Sequence, residues 1–323
     1  MPLSKTPLRM RGYKEKTFCG GIFLKIRLLN KLNVAFLISS IKEFLILKSH
    51  IGTWKFHNLY RSAIYADYPL RGKRDFADFE LQVVKNRRLR DLKSYASVWF
   101  DEKRIYPKFL ETSIFPFVEW GLNFCVATNA HQYLILHSGT LEKNGQVLLL
   151  PAWPGSGKST LSAALSQRGW RLLSDEFGLV RPSDLMIIPF PRLLPLKNQS
   201  IAVMRRFAPE AIFGPEYPGT PKGTVCHLRP PSESIDRADE PARARWIVFP
   251  RFKAGSAMHL NQIGSIEAFV TLSGHAFNYE LIGLRGFKTL SSLIDACDCY
   301  TFEYGGDLEQ AVAQLNALAD GLS

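Results

Sequence analysis

Hydrophobic positions between residues 116 and 180 change spacing repeatedly, and each change predicts a new element. Apolar residues recur every three or four positions over 116–130, which predicts a helix, and 133–139 predicts a strand. Residues 145–151 are apolar without alternation, as expected of a strand buried on both faces. Helical spacing returns over 159–168, and the apolar run at 170–180 predicts another strand. Strand, loop, helix and strand form a predicted βαβ unit.

The rest of the chain predicts two regions that meet near residue 110. Residues 76–85 and 95–103 mix β-branched and aromatic residues with polar ones at a period of two, which is typical of strands. We therefore expect a small α+β region over residues 23–110. Residues 111–323 contain the βαβ unit and, from Gly264, further helix patterns around one strand. The predicted fold class of this second region is α/β, and the whole chain is α+β.

The net charge of +12 comes from the first third of the chain. Residues 1–100 contain 20 Lys and Arg against 7 Asp and Glu, and the remainder contains 21 against 22. A basic arm can attract nucleic acid or anionic lipid. However, no aromatic interleaving or DNA-reading motif accompanies the densest cluster, residues 85–93. We expect a solvated surface there, no nucleic-acid partner, and a disordered basic tail over residues 1–22.

Two features bear on the compartment. The five cysteines are odd in number and show no C-x-x-C pair or Cys/His ligand spacing, which argues against disulfides and zinc and favours the cytoplasm. Within the apolar stretch 23–48, Lys31 and Lys42 leave about ten uncharged residues, whereas a membrane-spanning helix needs about 20. The sequence therefore predicts no transmembrane segment.

The predicted βαβ unit carries a glycine-rich loop, "PAWPGSGKST", between its first strand and its helix. Such loops hold phosphates because backbone N–H groups point inward at a helix N-terminus. Gly155 and Gly157 allow the backbone to turn, Lys158 suits the β- and γ-phosphates, and Ser159 suits Mg²⁺. We therefore expect Pro154, Gly155, Ser156, Gly157, Lys158, Ser159 and Thr160 to contact the nucleotide. Ala152 stands where the usual pattern has its first glycine.

Acidic and imidazole side chains follow neighbouring strands. Asp175 and Glu176 end the strand after the helix, so they should emerge beside the phosphates. One could hold Mg²⁺ and the other could take the acceptor's proton. His137 ends the strand segment "YLILH" at 133–137, and from its position alone a structural role is the more common one.

These residues match a known family. "LHSG", "PGSGKST" and "GWRLLSDE" resemble the catalytic domain of HPr kinase/phosphorylases. The chain from residues 65–70 to its C-terminus is more similar still to the HPr-kinase-related kinase A proteins of bacteria with exosortase systems. That similarity includes "FADFEL", "EWGLNFC", "FAPEAIFGP", "PKGTVCHLRPP" and "DACDCYTFEYG". Residues 1 to about 50 are not well covered.

The resemblance implies a P-loop kinase core over residues 111–323, related to HPr kinase and phosphoenolpyruvate carboxykinase, with ATP and Mg²⁺. It puts Gly155, Gly157, Lys158 and Ser159 in the phosphate and metal roles. It implies an active-site histidine at His137 and a general base at Asp175, with Glu176 replacing a second aspartate. The family's Glu-x-Arg-Gly-x-Gly signature is absent, and "PLKNQSI" stands in that region. This departure argues against HPr as the acceptor.

We therefore expect an ATP-dependent kinase in which Asp175 takes the proton of a hydroxyl on a protein or small molecule, while Lys158 stabilises the transferred phosphoryl group. Lys197, Arg192 and Arg251 are candidates for a further charge clamp. One alternative is a nucleotide-sensing pseudokinase or scaffold in an exosortase or exopolysaccharide pathway. Another is an ATPase that acts at nucleic acid or membrane through the basic first third. The oligomeric state, including a homo-oligomer, stays open.

Overall fold

The computed structural model describes residues 63–68, 78–86 and 94–321, together with the backbone of two strands at Phe23–Leu29 and Val34–Ser39. The basic tail predicted for residues 1–22 lies outside the described residues, as does most of the basic cluster at 85–93. The described part is a mixed α/β protein with three β-sheets.

The first sheet has five strands in the order β2-β1-β3-β4-β5, and only β1 and β3 run parallel. The strands are β1 Phe23–Leu29, β2 Val34–Ser39, β3 Phe79–Asn86, β4 Tyr95–Phe100 and β5 Lys103–Leu110. The strands predicted at 76–85 and 95–103 are confirmed as β3 and β4. Asp101 and Glu102 both have positive φ, as a two-residue hairpin turn between β4 and β5 requires.

Helix α1 spans Ile114–Asn129 and follows a 3₁₀ turn at Glu111–Ser113; a second 3₁₀ turn lies at Ala63–Tyr65. The helix predicted at 116–130 is therefore confirmed. It packs against β3, β4 and β5. One hydrophobic cluster contains Leu81 and Val98 of this sheet, Val118 of α1 and Phe177 from the later part of the chain. This hydrophobic core therefore contains residues from both sides of the predicted boundary at residue 110. The division into two domains stays a prediction.

The main sheet has eight strands. Seven lie in the order β10-β9-β6-β7-β14-β16-β15, while β8 pairs with β6, and β10 also pairs with β14. Among them β7, β14 and β16 run parallel, and the other pairs are antiparallel. The strands are β6 Leu134–Lys143, β7 Gln146–Pro151, β8 Arg171–Ser174, β9 Phe177–Val180, β10 Met186–Ile188, β14 Ala242–Phe252, β15 His259–Gln262 and β16 Asp298–Tyr304.

A smaller sheet has the order β11-β13-β12, with β11 Leu194–Lys197, β12 Phe213–Thr220 and β13 Gly223–Leu228. The remaining helices of the described chain are α2 Lys158–Ser166, α3 Gln199–Phe207, α4 Ser232–Asp236, α5 Ser265–Ser273, α6 Gly283–Asp295 and α7 Leu308–Ala319. Residues of α2 and α7 share one hydrophobic cluster with the main sheet, and residues of α5 and α6 share another.

The predicted βαβ unit is present with one difference. Strand β7 is buried from Val147 to Leu150, as the absence of alternation predicts, and helix α2 follows it. The run at 170–180 is not one strand but two, β8 and β9, which are interrupted at Asp175 and Glu176. The direct pairing with β6 ends with Ser174 opposite Thr140 and resumes with Phe177 opposite His137. Since β7 and β8 are both antiparallel to β6, they run parallel to each other on its two sides.

Candidate functional site

Four strands end at the same edge of the main sheet. Strands β7, β14 and β16 are parallel neighbours, and β8 runs in the same direction. The glycine-rich loop follows β7, Asp175 and Glu176 follow β8, and β14 and β16 end at Phe252 and Tyr304. Ligands of α/β sheets gather at such carboxyl ends. A cavity of about 780 Å³ opens here, within the size range of small-molecule sites.

The loop adopts a conformation that its glycines permit. Gly155 and Gly157 have φ angles of 92° and 85°, a region that other residues rarely adopt. Helix α2 starts immediately after Gly157, with no side-chain cap on its N-terminus. Ala152 is buried before the turn and is not among the residues with positive φ. Its position in the strand exit therefore does not need glycine.

Two later strands hold the loop in place. The backbone N–H of Phe252 donates a hydrogen bond to the Ser156 carbonyl oxygen at 3.0 Å. The hydroxyl of Tyr304 donates to the Gly157 carbonyl oxygen at 3.2 Å. Ser156 turns its own hydroxyl onto the Trp153 carbonyl oxygen, and it does not line the cavity. The other predicted nucleotide contacts line the cavity, namely Pro154, Gly155, Gly157, Lys158, Ser159 and Thr160.

Lys158 provides a buried charge without a hydrogen-bond partner. Its side chain is 8% exposed, and its Nζ has no hydrogen-bond acceptor among the described residues. Lys158 Nζ forms an ion pair with Glu176 Oε2 at the longer distance of 4.0 Å. A buried ammonium group is costly unless something compensates it. An anionic group bound in the cavity would supply that compensation, so the loop fits a phosphate ligand.

The acidic pair divides between the protein interior and the cavity. Asp175 is 3% exposed, and neither carboxylate oxygen has a hydrogen-bond partner of normal geometry within the described chain. Burial raises the pKa of Asp175, against the opposing effects of the Lys158 charge and the hydroxyls of Ser159 and Ser162. A bound cation would stabilise the ionised form.

Glu176 lines the cavity and Asp175 does not. His137 Nε2 lies 3.5 Å from Glu176 Oε2. Burial by itself would raise the pKa of Glu176, but the Lys158 charge and the hydrogen bond from His137 lower it well below the ordinary range. Glu176 is therefore ionised at neutral pH. His137 also lines the cavity, although it lies inside β6, which continues to Lys143, and not at a strand end as predicted. The three predicted catalytic residues are therefore brought to one region, with Asp175 beneath the surface.

The metal ligands predicted from the sequence were Ser159, Asp175 and Glu176. Within the described residues, no group of three or more His, Cys, Asp or Glu side chains is arranged to hold a metal ion. Mg²⁺, however, usually binds one or two carboxylates together with substrate phosphates and water. The unpartnered oxygens of Asp175 beside Ser159 fit that kind of site.

The three candidates for a charge clamp lie in different environments in the structure. Lys197 lines the cavity. Arg192 is buried and forms an ion pair with Glu119 instead. Arg251 is 76% exposed, with Glu303 at 3.9 Å, and does not line the cavity. Only Lys197 is therefore in a position to contact a ligand there.

Several cavity residues have no motif that identifies them in the sequence. Trp153, which is 63% exposed, packs its ring 4.5 Å from that of His275. Phe252, Phe277, Tyr304 and Lys222 also line the cavity. Phe252 and Tyr304 are aromatic residues at strand ends. An aromatic residue at a strand end identifies a cavity residue only when the order and direction of the strands in the sheet are known.

A scan against protein-family models finds no matching family, and a search of curated proteins finds no match. No helix in the described ranges combines the length and apolar character that crossing a membrane requires.

Proposed function

We propose that this protein is an ATP-dependent kinase that transfers a phosphoryl group to a hydroxyl of a protein or small-molecule acceptor. The observation that carries the proposal is the unpartnered, buried Nζ of Lys158. It lies between a positive-φ glycine loop and the Glu176 carboxylate, in a cavity large enough for a ligand. A site that only stabilised the fold would not leave this charge without a hydrogen-bond acceptor.

The nucleotide phosphates would lie against the N–H groups of the Gly155–Gly157 turn and the N-terminus of α2, where the helix dipole favours negative charge. Lys158 would contact the β- and γ-phosphates. Ser159 and Asp175 would hold Mg²⁺, which neutralises charge on the phosphates when it is bound. We keep Asp175 in the metal role that the sequence predicts, because its carboxylate oxygens lack hydrogen-bond partners in the described chain and Ser159, which interacts with it, lines the cavity.

In the transfer step, the acceptor oxygen forms a bond to the γ-phosphorus, the bond from that phosphorus to the β,γ-bridging oxygen breaks, and ADP leaves. The hydroxyl proton passes to a base. We assign this role to Glu176 rather than Asp175, since only Glu176 lines the cavity. His137, at 3.5 Å, orients the Glu176 carboxylate. Lys158 stabilises the charge of the transferred group.

The resemblance to HPr-kinase-related kinase A proteins supports the same activity, with residues 111–323 as the catalytic domain. The acceptor would not be HPr, because the associated signature is absent. The four cysteines of the described chain, Cys125, Cys226, Cys297 and Cys299, are free. Free thiols and the use of ATP are compatible with a cytoplasmic protein. The alternative is a pseudokinase that binds the nucleotide without transfer.

The test uses Glu176→Gln, which keeps the size of the side chain and removes its charge. Wild type and variant are incubated with γ-³²P-ATP, Mg²⁺ and a fractionated cell extract. We expect the variant to bind ATP with an affinity within about threefold of wild type and to lose transfer by roughly 100-fold or more. Glu267→Gln, an exposed change on α5, is the matched control and should behave as wild type.

The outcomes separate the two functions. Equal rates of transfer in wild type and Glu176→Gln would contradict the assignment of Glu176 as the base. ATP binding with no transfer by wild type to any fraction would support the pseudokinase instead.

A further inference from the structure

The cavity contains positive groups that the proposed nucleotide site does not use. Lys197 ends β11, and Lys222 lies in the turn between β12 and β13, so both belong to the three-stranded sheet rather than to the glycine loop. Both line the cavity. Among the described residues, neither ammonium group has a carboxylate within ion-pair distance. Lys222 Nζ also lies 4.7 Å from the centre of the Trp120 ring, a cation–π distance.

The N-terminus of a second helix, α3, also lies at the cavity. Helix α3 begins at Gln199, and both Gln199 and Ser200 line the cavity. Its first turn has no acidic residue, and the preceding Asn198 does not cap it. The Asn198 side chain instead accepts a hydrogen bond from the Thr224 N–H at 3.0 Å. Since α3 packs against α2, two helix N-termini converge on one cavity.

The charges in the cavity do not balance. Lys158, Lys197 and Lys222 line it, and Glu176 is the single carboxylate lining it in the described chain. Asp175 is buried beneath, and its pKa is raised by that burial. Partial burial, and then the charge of Lys197, lower the pKa of Lys222. Lys197 lines the same cavity as Glu176, the carboxylate that we assign as the base, and its charge contributes to the lowered pKa of Glu176.

We infer that Lys197, Lys222 and the N-terminus of α3 form a second anion site, which binds a phosphate group on the acceptor. The acceptor would then be a small hydroxyl compound that carries a phosphate group. Held by these residues, it would present its hydroxyl to Glu176. This inference rests on the proposed kinase function, and it adds the chemical class of the acceptor.

The test asks whether the cavity binds a second anion while a nucleotide is present. The protein is saturated with Mg²⁺ and the non-hydrolysable analogue AMP-PNP, and inorganic phosphate is titrated by calorimetry. We expect wild type to bind phosphate at one site. Lys197→Ala and Lys222→Ala should each weaken phosphate binding tenfold or more. Lys103→Ala, an exposed change on β5, should stay within twofold of wild type.

Two further variants guard against misfolding and against confusion with the nucleotide site. Lys222→Arg retains the charge and should restore phosphate binding to within about threefold of wild type. Absence of phosphate binding to the wild-type complex would overturn the inference. So would phosphate that competes with AMP-PNP, together with Lys197→Ala weakening both ligands equally, because the lysines would then serve the nucleotide phosphates. The proposed function fails separately, if Lys158→Met binds AMP-PNP as tightly as wild type.

Discussion

The Tyr304 hydroxyl donates a hydrogen bond to the Gly157 carbonyl oxygen at 3.2 Å, although the two residues belong to strand and loop segments far apart in the chain. The same hydroxyl occupies the space that a Cβ at Gly157 would need. Tyr304 therefore fixes the loop from one side and excludes every residue except glycine at its last position. This contact links the end of β16 to the conformation of the glycine-rich loop.

Gly157→Ala should damage the loop in two ways, through backbone strain at positive φ and through the collision with Tyr304. We expect nucleotide affinity to fall tenfold or more, and stability to fall by more than the roughly 1–2 kcal/mol that the strain alone costs. Fluorescence titration and urea unfolding measure the two effects. Gly145→Ala is the matched control, because Gly145 has a similar φ of 79° with no atom close to the added Cβ.

Combining Gly157→Ala with Tyr304→Phe separates strain from collision. Removing the hydroxyl costs about 1 kcal/mol by itself, but it also removes the atom that the new Cβ would meet. The double variant should therefore be more stable than the sum of the single effects predicts. Strict additivity would show that the Tyr304 contact does not constrain the loop.

The buried ion pair between Glu119 and Arg192 should be necessary for the fold. Glu119 also accepts a hydrogen bond from the Tyr65 hydroxyl. Glu119→Ala leaves the buried guanidinium without its partner, so we expect a loss of about 3–5 kcal/mol in urea unfolding. The control, Glu216→Ala, breaks a pair with Arg205 in which both side chains are about half exposed, and it should cost about 1 kcal/mol or less. Equal losses of stability in the two variants would contradict the conclusion that Arg192 depends on Glu119 as its buried partner.

His227 should make the fold sensitive to acid. It is 1% exposed, neither ring nitrogen has a hydrogen-bond partner in the described chain, and burial lowers its pKa from 6.5 to about 4. Because the unfolded state takes up the proton first, the stability is complete above about pH 6.5 and is lost as the pH falls toward 4. The expected loss from this group between pH 7 and 5 is about 2 kcal/mol.

Urea unfolding as a function of pH measures this contribution. His227→Phe removes this titrating group and should reduce the slope between pH 7 and 5, while the remaining slope is expected from His275, whose pKa burial also lowers to about 4. His259→Phe, at an exposed position on β15, should leave the slope unchanged. If His227→Phe retained the full wild-type slope, another group would be responsible for the acid sensitivity.

Local patterns predicted the elements that bear the loop. The apolar run at 145–151 corresponds to β7, and the helical spacing at 159–168 corresponds to α2. A strand buried on both faces has apolar residues at consecutive positions, whereas a helix buried on one side has them every three or four positions. The sequence places Asp175 and Glu176 at the end of a strand, but its hydrophobic pattern does not show that a separate strand, β9, begins directly after them. Their position depends on pairing with β6.

The residues that complete the cavity could not be found by local reasoning. Lys222 and Tyr304 reach it only because the three-stranded sheet and β16 are brought beside the loop by long-range packing. The same is true of Arg192, whose sequence context resembles that of Lys197, while its buried partner Glu119 is visible only in the fold. The motif fixes where a phosphate would bind, and the tertiary structure determines what surrounds it.

The most direct test of the central claim is the affinity of Mg²⁺-ATP for wild type and for Lys158→Met, measured by calorimetry. Lys103→Met, with an exposed side chain on β5, is the control. The account predicts that wild type and control bind ATP equally well, and that Lys158→Met binds it roughly 100-fold more weakly, since it lacks the buried ammonium group. ATP binding of equal strength in all three proteins would contradict it.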